Sequence, residues 1–164
     1  MKITKLLLIS TIIAAPITGM ASELANKDTP INFVQIAKKA TIAQTKQNQY
    51  RLTLNGASSN TDWFASRPQR EAGTISTTKY TQLWSQGKDN FNDDPPNAAI
   101  VGNSKNNGQG QNISYMLSLE NPVYQADKGQ LSYTIDNLNT KQKLPTSQTL
   151  YNASVYIDKF CPWC

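Results

Sequence analysis

Residues 49–55 read QYRLTLN, and this stretch decides the fold class that we predict for the chain. Apolar side chains occupy every second position from Tyr50 to Leu54, and polar side chains stand between them. This period of two is typical of a strand with one buried face. The Asn55-Gly56 pair that follows predicts a tight turn at the end of the strand.

The same alternation recurs along the chain in short runs that turn residues separate. Such a pattern is typical of an antiparallel sandwich or of an antiparallel sheet that closes on itself. Of these two we expect the sandwich: a mainly-β fold, an antiparallel β-sandwich of Ig-like or jelly-roll-like form, with one short helix. The further strands predicted are 40–45, 61–66, 98–101, 113–119, 123–126, 131–135 and 153–157.

Three segments do not show a clear alternation of apolar and polar residues. The apolar residues of 31–44 match helical spacing as well as a strand, and we favour a strand at 40–45. Segments 103–111 and 141–149 are rich in Asn, Gln, Lys and Gly or Thr, without an apolar face, so we predict polar loops there.

Segment 62–98 differs in composition from these strands. It holds two of the three arginines, two of the three tryptophans and the only Pro-Pro pair. Ser76 is a favourable N-cap and Gly87 a favourable helix end, so we predict a helix over 77–86. Its apolar residues share one face, which is typical of packing against a core.

The first 21 residues have the composition of a bacterial signal peptide. Lys2 and Lys5 precede an apolar run over 6–15, and residues 19–21 (GMA) supply the small side chains that a signal peptidase recognises. The apolar run is too short for a stable membrane span, although an uncleaved N-terminal anchor is the alternative. We therefore expect cleavage after Ala21 and a periplasmic or secreted protein with no transmembrane segment after cleavage.

The remaining chain is expected to divide into three parts. A polar, flexible leader over 22–30 precedes one β-sandwich domain over 31–160, and a cysteine-containing tail over 161–164 follows it. A domain of this size can bury about two-thirds of the surface of its unfolded chain, which is enough for one core.

Charge and composition limit the possible functions. The formal net charge is +5, and without the two lysines of the signal peptide it is +3, with no basic cluster of the kind that nucleic-acid binding requires. Histidine, the commonest general base and metal ligand, is absent from the sequence. We therefore expect no nucleic-acid partner, no metal, no cofactor and a non-catalytic role.

Arg67 and Arg70 stand on either side of Pro68, just after a predicted strand. Two guanidinium groups could hold a carboxylate, a phosphate or a sugar acid through paired hydrogen bonds. In the alternative interpretation, which we favour, they pair with Asp94 or Glu71 and fix the irregular loops to the sheet, because loops lack ladder partners. We expect one arginine to be paired and the other to be free.

The aromatic residues of segment 62–98 also allow two interpretations. They could line a groove for a carbohydrate or a peptide, but we expect most of them to build the core, since large aromatic side chains bury much area in a small domain. They are Trp63, Phe64, Tyr80, Trp84 and Phe91. The residues that we predict for a binding surface are Arg67, Arg70, Trp63, Asp94 and Asn97.

Cys161 and Cys164 enclose Pro-Trp in a C-x-x-C arrangement. In thioredoxin-like proteins a helix begins at the first cysteine, and its positive end stabilises the thiolate. No residues of such a helix follow here, so we expect a local disulfide formed in an oxidising compartment rather than redox catalysis. Pairing with another chain and capture of a soft metal ion are further alternatives.

Segment 62–98 also resembles a family of small secreted bacterial proteins of unassigned function. The shared pattern is F-x-x-R-P-x-R-x-A-G, then F/Y-x-x-x-W, then F-x-x-D-P-P-N-A, and the similarity extends over about 50–158. The resemblance implies one secreted domain and no particular activity, and the C-x-x-C tail departs from it. The matching residues are Phe64, Arg67, Pro68, Arg70, Ala72, Gly73, Tyr80, Trp84, Phe91, Asp94, Pro95, Pro96, Asn97 and Ala98.

Together these observations predict an exported, non-enzymatic binding or structural protein of the bacterial envelope or extracellular space. Its partner is expected to be an envelope protein, a carbohydrate or a small anion. The alternative function is that of a thiol–disulfide exchange accessory that uses Cys161 and Cys164. The missing histidine disfavours a hydrolase.

Overall fold

The computed structural model of this chain describes residues 29–87, 90–106 and 109–160. The expected signal peptide, most of the leader and the tail with Cys161 and Cys164 lie outside the described residues. The elements in chain order are β1 (Ile31–Lys46), β2 (Gln49–Ala57), β3 (Asn60–Ala65), β4 (Ala72–Ser76), α1 (Thr77–Leu83), β5 (Asn97–Asn106), β6 (Gln109–Gln125), a 3₁₀ turn (Ala126–Lys128), β7 (Gln130–Asn137) and β8 (Ser147–Phe160).

All of these strands belong to one antiparallel sheet with the order β2-β7-β6-β5-β8-β1-β3-β4. β2 also pairs with β1, for example through Leu52 and Ile42, so β1, β2 and β5 to β8 close into a ring. β3 and β4 form a hairpin that extends from β1 outside this ring. The predicted mainly-β, antiparallel fold with one short helix is confirmed, and the β1–β2 pairing adds the closure of the sheet.

β1 belongs both to the ring and to the sheet that contains the β3–β4 hairpin, because one edge of this strand pairs with β3 along its first part and with β2 along its later part. Its first residues pair with β3, as Val34 does with Asp62, and its later residues pair with β2. Between the two partners, the amide of Ser58 donates a hydrogen bond to the carbonyl of Ile36 at 3.0 Å. The strand predicted at 40–45 is confirmed, but it begins at Ile31, and the helical spacing of 31–44 corresponds to no helix.

β5 and β6 form a long hairpin where the sequence predicts a polar loop. Their ladder continues past Asn103, paired with Asn112, as far as Asn106 and Gln109. The loop predicted over 103–111 is therefore wrong, apart from 107–108, which lie outside the described residues. Ladder hydrogen bonds use the backbone, so polar residues without an apolar face can extend a hairpin that its neighbours already hold in register. The loop predicted over 141–149 ends earlier, because β8 begins at Ser147.

The ring encloses an aliphatic core built from the inward-facing residues of its strands. Period-two alternation places these side chains on one face of each strand, so the local pattern and the burial agree. Ten Ile, Leu and Val residues of the core have no measurable exposure: Ile42, Leu52, Leu54, Ile100, Leu117, Leu119, Leu131, Ile135, Leu150 and Val155.

α1 packs at the end of the ring where β1 begins and β8 ends. The hydroxyl of Ser76 accepts a hydrogen bond from the amide of Lys79 at 3.2 Å, which confirms the predicted N-cap. The helix ends at Leu83, earlier than predicted. Tyr80 and Trp84 lie on one face of this segment, and their ring centroids are 5.7 Å apart.

An aromatic cluster fills the space beneath α1. The ring of Trp84 lies 4.8 Å from that of Phe91 and 5.7 Å from that of Tyr133, while Phe33 lies 4.9 Å from Tyr80. The expectation that most aromatic residues of 62–98 build the core is confirmed for Trp63, Tyr80, Trp84 and Phe91. Phe64 is the exception, because 42% of its surface is exposed.

A small polar group lies within this cluster. The phenol of Tyr133 donates a hydrogen bond to Oε1 of Gln35 at 2.7 Å, and the hydroxyl of Tyr80 lies 3.4 Å from that of Tyr133. Burial raises the pKa of both phenols, because it disfavours the phenolate. Nε2 of Gln35 and Nε1 of Trp84 have no hydrogen-bond partner among the described residues.

Candidate functional site

The outer face of β1, β8, β5 and β6 carries a row of apolar side chains. Val34 pairs with Tyr156, Tyr156 with Ala99, and Ala99 with Met116, so the four residues form one line across four strands. Their neighbours along each strand face the core, and alternation therefore directs these four outward. Tyr156 is 49% exposed and Met116 45% exposed. We call these four residues the apolar row.

A line of polar residues runs parallel to the apolar row and is displaced from it by two residues along each strand. Asn32 on β1, Asp158 on β8 and Asn97 on β5 occupy these positions. Phe64 on β3 pairs with Asn32 and closes this line at one end. We call Asn32, Asp158 and Asn97 the polar row.

The polar row and three members of the apolar row, Ala99, Met116 and Tyr156, line a groove on the outer surface of the sheet, with a volume of about 280 Å³. An exposed apolar surface flanked by polar side chains is the usual composition of a ligand-binding site. We call this feature the outer groove. It is lined by Asn32, Phe33, Phe64, Asn97, Ala98, Ala99, Met116, Tyr156, Ile157 and Asp158.

The polar side chains of the outer groove are available for hydrogen bonding. Among the described residues, none bonds to the side-chain amide of Asn32 or of Asn97. One carboxylate oxygen of Asp158 accepts a hydrogen bond from the amide of Lys159 at 2.9 Å, which leaves the other oxygen open. Of the residues that the structure describes, Asp158 is the only charged one that lines the groove.

Arg67 and Arg70 lie in the connection between β3 and β4, three and six residues after Phe64. Both are exposed, and neither forms an ion pair with a carboxylate among the described residues. The preferred interpretation, in which they pair with Asp94 or Glu71, is therefore wrong. Backbone hydrogen bonds hold the connection instead, including one from the amide of Arg70 to the carbonyl of Ser66 at 3.2 Å.

Asp94 and Asn97 lie just before and at the start of β5, at the edge of the sheet where β8 ends. A second hollow of about 240 Å³ lies here, and Asp94, Asn97, Asp158 and Lys159 are among its lining residues. Asn97 and Asp158 thus line both hollows, and the structure brings Asn97 together with Phe64 in the outer groove. The structure does not place Arg67, Arg70 or Asp94 among the residues that line the outer groove.

Trp63, the remaining residue predicted for a binding surface, is only 7% exposed. Its ring lies against Gly73 on β4. Because Trp63 faces inward, its neighbour Phe64 faces outward and contributes to the outer groove.

Sequence reasoning missed five outward-facing residues of the groove: Asn32, Ala99, Met116, Tyr156 and Asp158. A signal for two of them was present, because Met116 and Tyr156 are large apolar residues at the outward positions of strands whose other face is buried. Such residues break the apolar-in, polar-out alternation and mark an exposed apolar surface. Asn32 and Asp158 carried no comparable local signal.

Other kinds of site find little support in the described part of the chain. It contains no group of three or more His, Cys, Asp or Glu side chains that could hold a metal ion. Of its helices, none has the length and apolarity needed to cross a bilayer. The predicted disulfide or redox pair, Cys161 and Cys164, falls outside the described residues and stays a prediction.

Comparison of the chain with models of protein families, with curated proteins and with solved structures finds no match to any of them. The resemblance of segment 62–98 to a family of small secreted bacterial proteins therefore stays a prediction.

Proposed function

We propose that this protein is an exported, non-catalytic binding protein of the bacterial envelope or extracellular space, and that its ligand occupies the outer groove. The observation that carries the proposal is the exposure of Phe64, Tyr156 and Met116 on one continuous outer face, beside the amides of Asn32 and Asn97. Side chains of this kind cost free energy when they remain in water, and their clustering favours a surface that a ligand covers.

Rigid strands position every side chain of this surface. At Phe33, Ile157 and Ala98, β1, β8 and β5 each pair on both sides, and this pairing fixes the strands that carry the groove side chains. A binding site on such a scaffold loses little conformational entropy when the ligand arrives, because the groove already exists before binding.

Export is supported by the signal-peptide pattern of residues 1–21. Expression of the full chain in a laboratory Gram-negative strain, followed by fractionation and mass spectrometry, tests it. The expected product is in the periplasm or medium and begins at Ser22. A product that retains Met1 and stays in the cytoplasm would contradict the export part of the proposal.

Binding is tested by cosedimentation of the mature protein with purified cell-wall sacculi and with outer-membrane vesicles. The double variant Phe64→Ser, Tyr156→Ser removes both exposed rings of the groove and should abolish cosedimentation. Tyr151→Ser is the matched control, because Tyr151 lies on the same strand, is 37% exposed and stands outside the groove, where Lys105 Nζ lies 4.7 Å from its ring. The control should cosediment like the wild type.

Two results would count against this assignment. If the double variant cosediments as well as the wild type, the outer groove is not the contact surface. If the wild type stays in the supernatant with both preparations, a binding role in the envelope is wrong.

A further inference from the structure

We infer that the ligand of the outer groove is a neutral glycan chain that runs across the strands, an inference that rests on the proposed binding function. The polar row and the apolar row are offset by two residues along the strands, which corresponds to about 7 Å. The groove is therefore amphipathic across its width, with Tyr156 and Met116 on one side and Asn32, Asp158 and Asn97 on the other.

Pyranose rings have the complementary chemistry. A sugar ring presents C–H groups on its faces and hydroxyl groups around its rim. The exposed aromatic rings of Tyr156 and Phe64 offer flat apolar surfaces of large area, to which the C–H face of a sugar can pack. The hydroxyl rim of the same sugar would then lie over the polar row.

The members of the polar row suit hydroxyl groups in particular. Each of the two asparagine amides offers both donors and an acceptor, and the open carboxylate oxygen of Asp158 offers an acceptor. Asn32, Asp158 and Asn97 lie on three neighbouring strands, and neighbouring strands of a sheet are about 5 Å apart. A chain of sugars lying across β1, β8 and β5 would therefore meet a new polar side chain at each strand.

The charge of the residues that line the groove favours a neutral glycan over the anionic ligands that Arg67 and Arg70 suggested in the sequence. Among the described residues, Asp158 is the only charged one that lines the groove, and its carboxylate would repel a phosphate or a sugar acid. Arg67 and Arg70 are not among the lining residues and supply no cation to the groove wall. The electrostatics of the groove therefore favour an uncharged ligand over an anion.

A polypeptide is the main competing ligand, and the strand pairing disfavours it. Extended peptides commonly bind by adding a strand to an open sheet edge, where backbone hydrogen bonds supply affinity. The groove lies over β1, β8 and β5, each of which is paired on both sides at this level. A peptide here would have only side chains to bind, whereas a glycan needs no backbone partner.

The test is a titration of the ¹⁵N-labelled mature protein with hexa-N-acetylchitohexaose, cellohexaose and maltohexaose. An acidic oligogalacturonate and a neutral, apolar hexapeptide serve as comparison ligands. We expect saturable amide shifts for at least one neutral oligosaccharide, centred on Asn32, Phe64, Asn97 and Tyr156. Neither comparison ligand should shift these amides.

Two pairs of variants separate stacking from hydrogen bonding. Tyr156→Ala should raise the Kd of the responding oligosaccharide by about tenfold or more, as expected for the loss of an aromatic contact. Asn97→Ala should raise it by about three- to tenfold, as expected for the loss of neutral hydrogen bonds. The matched controls Tyr151→Ala and Asn112→Ala, exposed strand residues outside the groove, should leave the Kd unchanged.

The outcomes separate this inference from the proposed function on which it rests. If the groove amides respond to the peptide or to the oligogalacturonate and to no neutral oligosaccharide, the glycan inference is overturned and the groove remains a binding site. If no neutral oligosaccharide binds at millimolar concentration, the inference is likewise overturned. If oligosaccharides shift only amides remote from the groove, both the inference and the assignment of the groove are wrong.

Discussion

The indole ring of Trp63 on β3 lies against Gly73 on β4, so closely that a Cβ on residue 73 would stand 2.8 Å from Cζ2 of Trp63. The two residues are direct partners in the β3–β4 ladder. Because Gly73 has no side chain, the indole of Trp63 can lie across the β3–β4 hairpin on the face that is directed toward the core. Phe64, the next residue, is thereby directed to the opposite face, where it lines the outer groove.

Gly73→Ala should destabilise the protein by about 1–3 kcal/mol, because the new methyl group would overpack the indole. Urea denaturation followed by circular dichroism measures the loss. Gly110→Ala is the matched control, since a Cβ at Gly110 meets no atom within 4 Å and its strand is exposed at this point. Equal midpoints for Gly73→Ala and wild type would contradict the packing argument.

Phe91→Ala and Phe64→Ala should destabilise the protein to very different extents, although they remove the same side chain. Phe91 is 4% exposed and its ring lies 4.8 Å from that of Trp84, so its loss should cost about 3–5 kcal/mol. Phe64 is 42% exposed, so its loss should cost less than about 1 kcal/mol. The same denaturation measurement checks both, and similar losses for the two variants would show that Phe64 is part of the core.

The buried phenols of Tyr80 and Tyr133 should make the protein sensitive to alkali. An unfolded tyrosine ionises near pH 10, whereas burial raises the pKa of both phenols in the folded state. Their contribution to stability is therefore complete below about pH 10 and falls as the pH rises further, because the unfolded state releases its protons first. Each phenol should steepen this fall by about 1.4 kcal/mol per pH unit.

The variant Tyr80→Phe tests this pH dependence. It removes one of the two titrating phenols, and Tyr133 keeps its hydrogen bond to Gln35. Between about pH 10 and 11, its free energy of unfolding should fall less steeply than that of the wild type, by about 1 kcal/mol per pH unit, because the unfolded phenol is only half ionised at pH 10. Urea denaturation at a series of pH values gives both slopes. Parallel curves would mean that Tyr80 ionises alike in the folded and unfolded states.

Arg67→Glu and Arg70→Glu should each change the free energy of unfolding by less than about 0.5 kcal/mol. Both guanidinium groups are exposed and lack an ion pair among the described residues, so charge reversal breaks no contact that the structure shows. Thermal denaturation measures the effect. A large loss of melting temperature in either variant would indicate that the arginine is paired after all.

The double variant Cys161→Ser, Cys164→Ser should keep the melting temperature of the wild type. A disulfide between these residues would close a very short loop, which restricts the unfolded chain little. β8 is already fixed as far as Phe160, which is buried and pairs with Ile31. Calorimetry under non-reducing conditions measures the difference, and a large drop would show that the tail holds the fold together.

Much of the local structure could be predicted from the sequence because its causes are local. Alternation at Tyr50 to Leu54 and at 153–157 marked two strands, and the hydroxyl of Ser76 marked the start of α1. Burial of Tyr80 and Trp84 followed from their spacing on one helix face. The extent of β1 could not be predicted, since its backbone is held by ladders with distant strands, and the polar end of the β5–β6 hairpin could not be predicted, since its ladder uses backbone groups and leaves no side-chain pattern.

The sequence by itself determined that this chain would form antiparallel strands around an apolar core, because side-chain alternation and turn residues act over a few positions. Only the tertiary structure decided that the first part of β1 pairs with the β3–β4 hairpin and that its later part pairs with β2 to close the ring. Only the tertiary structure decided, too, that Asn32, Asn97 and Asp158 stand side by side in one groove. Their proximity depends on strand order and register, which arise from contacts between residues far apart in the chain, and no local pattern encodes it.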